Sequence, residues 1–60
     1  MTLYIRVGCL GRFNKLYNNN EDLREMVERW TGIKWKICDE AYIEEIHYIL
    51  SENRIKYDIA

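Results

Sequence analysis

Cys9, Cys38 and His47 are the side chains best suited to nucleophilic or metal chemistry, and their setting argues against both. A thiolate nucleophile needs a base within hydrogen-bond reach and a third group that orients the base. Both cysteines fall at the ends of expected strands, so they could lie near each other. His47 flanks the apolar stripe of an expected helix on its core side, where a satisfied structural histidine is the common case. No third group is evident. A structural zinc site takes four ligands, usually in paired Cys or His spacings, and three scattered candidates do not supply them. Gly8 to Phe13 follows an expected strand in the manner of a phosphate-binding turn, but it lacks the G-K-[ST] ending and an expected helix directly after it. The expectation is a chain that is not an enzyme and holds no cofactor or metal.

Charge offers two further constellations. Tyr4, Arg6, Lys34, Lys36 and Lys56 occupy the outward positions of expected strands, with Asp58 the only acid among them. An open sheet face with Lys, Arg and Tyr can hold single-stranded nucleic acid by phosphate contacts and base stacking. One aromatic, Tyr4, is few for such a platform. The plain alternative is a solvated face whose lysines also block edge-to-edge aggregation. The second constellation is Glu44, Glu45, Tyr48 and Glu52. At about 100° per residue these share the solvent side of one helix. Residues 39–52 contain no Lys or Arg. An exposed tyrosine among unpaired carboxylates suits a protein interface, where tyrosine is enriched; the plain alternative is a solvated acidic face.

These side chains depend on elements that the apolar pattern predicts. Residues 33–38 alternate Ile, Lys, Trp, Lys, Ile, Cys, which marks a strand with one buried and one wet face. Residues 2–8 read as a first strand with Leu3, Ile5 and Val7 inward. Residues 12–17 are open between a hairpin strand and an irregular turn anchored by Phe13, Leu16 and Tyr17. A helix is expected from Asn20, capped by Asn19 or Asn20, with Leu23, Met26, Val27 and Trp30 as its stripe. Glu25 and Arg29 would pair along it, and Gly32 would end it. Asp39 caps a second helix with Ile43, Ile46 and Leu50 inward, ended by a left-handed Asn53. Residues 54–59 form the last strand. Trp30 and Trp35 both face the core in this reading.

The resulting fold class is α/β (α+β). It is a small two-layer sandwich with a three- or four-stranded sheet and two helices on one face, since each strand has a single apolar face. The last strand, helix and strand make a βαβ unit. Sixty residues form one domain, 1–60, too small for a deep cleft beside its core. The net charge of −1 gives no global pull toward nucleic acid or membrane. Arg6 and Arg12 interrupt the apolar start, so no signal peptide is expected, nor any membrane span. Two cysteines are too few for a disulfide scaffold. A cytoplasmic protein with free thiols is the default expectation.

Proline is absent, while Asn, Ile, Tyr and Lys are abundant. Such usage suits AT-rich coding, as in phages and mobile elements. The leading functional expectation is therefore a small inhibitor or regulator that binds a larger host or defence protein through the acidic helix face. The alternatives are a nucleic-acid binder using the basic sheet face, and a structural homodimer.

Overall fold

The computed structural model describes residues 1–60. Four strands form one antiparallel sheet: β1 (Thr2–Ile5), β2 (Val27–Thr31), β3 (Lys34–Ile37) and β4 (Tyr57–Ile59), in the spatial order β2-β3-β1-β4. Helices α1 (Leu10–Asn19), α2 (Glu21–Met26) and α3 (Ile43–Glu52) cover one face; short 3-10 turns at Val7–Cys9 and Glu40–Tyr42 lead into α1 and α3. The small α+β sandwich expected from the alternation is present.

The inward strand residues Leu3, Ile5, Val27, Trp35 and Ile37 meet Phe13, Leu23, Met26, Ile46 and Leu50 from the helices in a single buried core. Trp35 and Phe13 are fully buried at its centre, edge to face, with ring centres 4.6 Å apart. Tyr17 packs on the same indole at 4.7 Å. β3 and β4 both run antiparallel to β1, hence parallel to each other. The β3-α3-β4 unit is therefore split, with β1 filling the space between its strands. Beyond the end of this ladder Thr2 and Ala60 exchange two backbone hydrogen bonds, 2.8 and 3.0 Å.

The fourth strand lies elsewhere than residues 12–17. Those residues belong to α1, whose Leu10, Phe13, Leu16 and Tyr17 recur at helical spacing and pack on the core. The fourth strand is cut from the second half of the expected first helix. Asn20 does cap α2, its Oδ1 accepting from the Leu23 amide at 3.0 Å, but the helix stops at Met26. Val27 is buried under either periodicity, and the Val, Trp and Thr that follow favour a pleated surface. β3 needs a partner on its free side, and residues 27–31 supply one. Gly32 accordingly sits in the β2–β3 turn with φ +53°. Arg29, now in a strand, cannot pair along a helix with Glu25; it donates to Asn14 Oδ1 at 3.0 Å. At the far end of α3 the left-handed residue is Arg54, φ 55°, while Asn53 has φ −98°. No helix is long and apolar enough to cross a membrane.

Candidate nucleic-acid interface

Cross-strand register decides which outward side chains are neighbours. Lys36 lies opposite Thr2 on one side and Glu28 on the other. Tyr4 lies opposite Lys34 and Asp58. Directly opposed residues hold their Cβ atoms about 5 Å apart. Two rows therefore cross the open face, Glu28-Lys36-Thr2 and Lys34-Tyr4-Asp58. The Lys34 ammonium stands 5.8 Å from the Tyr4 ring centre. Arg6 and Asp58 form the chain's ion pair at 3.0 Å. Lys56 joins the same end of the face, its carbonyl accepting from the Arg6 amide at 3.0 Å. The five residues expected on this face are thus brought together.

Trp30 belongs to this face as well, against the expectation that it packs inward. Arg29 pairs with Trp35 but Thr31, not Trp30, pairs with Lys34. Alternation along β2 puts Val27 and Arg29 inward and Glu28 and Trp30 outward, and one extra residue, a bulge, then brings Thr31 opposite Lys34. The indole is 62% exposed. It lines a shallow, open hollow with Thr2, Glu28 and Lys36. The residue was missed because Leu23, Met26, Val27 and Trp30 satisfy a helical stripe. The available signal was the Trp-Thr-Gly ending before a clear strand, which also reads as a hairpin arm.

The acidic set stands apart on α3. Glu44, Glu45, Tyr48 and Glu52 are all exposed and form no ion pair, with Tyr48 66% exposed. Glu44 and Glu45 lie in the first turn, where they favour the helix dipole.

The reactive side chains do not converge. Because β1 and β3 are antiparallel, Cys9 and Cys38 follow opposite ends of the sheet rather than lying near each other. Cys9 is buried, its Sγ accepting from the Lys56 amide at 3.4 Å; Cys38 is exposed. His47 is exposed, but its ring lies 5.3 Å from that of Tyr57, which packs against the core, and its Nδ1 pairs with the Tyr57 hydroxyl, as in a satisfied structural histidine. No three His, Cys, Asp or Glu side chains are grouped closely enough to hold a metal ion. A helix does follow β1, since α1 begins at Leu10, but the segment still lacks the Lys-Ser/Thr ending of a phosphate loop.

Comparison with known protein families, characterised proteins and solved structures gives no match to this chain.

Proposed function

We propose that this chain is a non-enzymatic binding module that holds single-stranded nucleic acid on its open sheet face. The observation that carries this reading is Trp30, exposed on the same face as Tyr4, with Lys34 and Lys36 on the strand between them. A single aromatic is few for such a platform, and Trp30 on β2 adds the second. Stacking contributes about 1–3 kcal/mol per base and needs unpaired bases, which duplexes do not offer. Two or three phosphates on Lys34, Lys36 and Lys56 give a shallow salt dependence, a log–log slope of about −2.

The test is fluorescence anisotropy with labelled single- and double-stranded nucleic acid at low and physiological salt. Single strands should bind, weaken with salt, and be lost in the Lys34→Glu/Lys36→Glu double variant. Absence of binding at low salt, or equal binding of duplex, overturns the reading.

A second reading rests on Tyr48. Its exposed ring among Glu44, Glu45 and Glu52 fits a protein with a basic surface, on which the carboxylates would sit where phosphates otherwise do. This is the regulator or inhibitor of a larger host or defence protein that the composition suggests. Tyr48→Ala with Glu45→Lys should then weaken partner capture at least tenfold; unchanged affinity removes it. Sedimentation settles the homodimer alternative, which a concentration-independent monomer mass excludes.

A further inference from the structure

We infer that the hollow between Trp30 and Glu28 takes an unpaired guanine base; the inference rests on the sheet-face reading above. Glu28 and Trp30 are two residues apart on β2, about 7 Å along the strand, and both line the hollow. A carboxylate is out of place on a surface that holds phosphates. Glu28 nevertheless stands directly opposite Lys36 without forming an ion pair with it. Its carboxylate is an exposed acceptor at the hollow that Trp30 also lines.

A base stacked on Trp30 turns an edge toward that carboxylate. An ionised carboxylate only accepts, and it can take two parallel donors at once. Guanine is the standard base with two adjacent donors on one edge, its N1–H and its N2 amine. Adenine and cytosine set one amine beside an acceptor nitrogen. Thymine and uracil set one N–H between two carbonyls, which the carboxylate repels. Lys36, across from Glu28, stands ready for the phosphate of the same nucleotide, and Lys34 and Tyr4 extend the path into the neighbouring nucleotides of a strand.

The experiment measures anisotropy of labelled oligothymidine of about eight nucleotides carrying one central guanine, adenine, cytosine, inosine or thymine. The whole chain and its Glu28→Gln variant are compared at low salt. The guanine oligomer should bind about tenfold tighter than the thymine one, the span of one bidentate base contact. Inosine, which lacks the N2 amine, should fall toward adenine. Glu28→Gln should erase the preference and bind plain oligothymidine at least as tightly, because a negative charge is gone. Equal binding of all five by the unaltered chain overturns guanine selection and leaves the sheet-face reading standing. No binding of any oligomer overturns both. Guanosine 5′-monophosphate competing as well as the guanine oligomer overturns the strand and assigns the hollow to a free nucleotide.

Discussion

Arg29 stands opposite Trp35 across the β2–β3 ladder and lays its guanidinium carbon 4.6 Å from the centre of the indole. The same guanidinium donates to Asn14 on α1, so one side chain ties the edge strand to the helix layer over the largest core residue. Arg29→Ala should cost about 1 kcal/mol in urea unfolding, through lost cation–π contact and lost stem packing. Arg29→Lys should recover less than half, because an ammonium neither lies flat on the ring nor keeps the fork. Equal stability of all three would show that the contact contributes nothing.

The two tryptophans should behave in opposite ways. Trp35→Ala leaves a cavity at the centre of the core and should cost about 3–5 kcal/mol, enough to unfold a domain of this size. Trp35→Phe should lose much less, because it also removes an indole N–H buried without a partner. Trp30→Ala should stay within about 0.5 kcal/mol of the unaltered chain, as expected of a surface site. Acrylamide should quench the Trp35→Phe protein strongly and a Trp30→Phe protein weakly. The reverse pattern would place the wrong indole outside.

Two left-handed residues give a paired prediction. Gly32→Ala should destabilise by about 1 kcal/mol, since its φ of +53° is costly for a residue with a Cβ. Arg54→Gly should stabilise by up to about 1 kcal/mol for the same reason. The Arg12 side chain donates to the Arg54 backbone oxygen at 3.0 Å, and that bond survives the substitution. Thermal melts of the two variants should move in opposite directions.

Asn20 sets where α2 starts and hence where β2 can begin. Asn20→Ala should cost about 1 kcal/mol, while Asn20→Asp should be near neutral because it keeps the accepting oxygen. A loss equal for both would mean that the cap bond to Leu23 is unimportant.

The strands were legible where one face alone is apolar. Leu3, Ile5, Trp35 and Ile37 alternate cleanly with Tyr4, Lys34 and Lys36, and the layer count follows. Asp39 was legible as a cap, its side chain accepting from the Ala41 amide at 2.9 Å, but it opens the 3-10 turn Glu40–Tyr42 and α3 itself starts at Ile43. Residues 20–31 misled because Leu23, Met26 and Val27 fit both halves of a helix-to-strand switch, and only pairing with β3 settles where the period changes. Residues 10–19 were hard because three asparagines and a glycine dilute a stripe whose apolar members are real. The lysines of the candidate face were found from period two; Trp30 obeys the same period once residues 27–31 are read as a strand, with Val27 and Arg29 inward and Glu28 and Trp30 outward, and it was hidden by the helical reading of that segment.

The paired backbone bonds of Thr2 and Ala60 make the topology nearly circular. A few glycines joining Ala60 to Met1 would close the backbone into a ring, and the chain could instead be opened at the Gly32 turn, where exposed loop residues tolerate new termini. In that permuted order β3, α3, β4 and β1 follow one another, and β1 would meet β4 as a near neighbour rather than across the whole chain. The same cut parts β2 from β3, whose tight turn is lost, so that pair becomes the one that must close across the whole chain. The fold is thus compatible with either cut, and the cut decides which strand pair carries the cost of the longest loop.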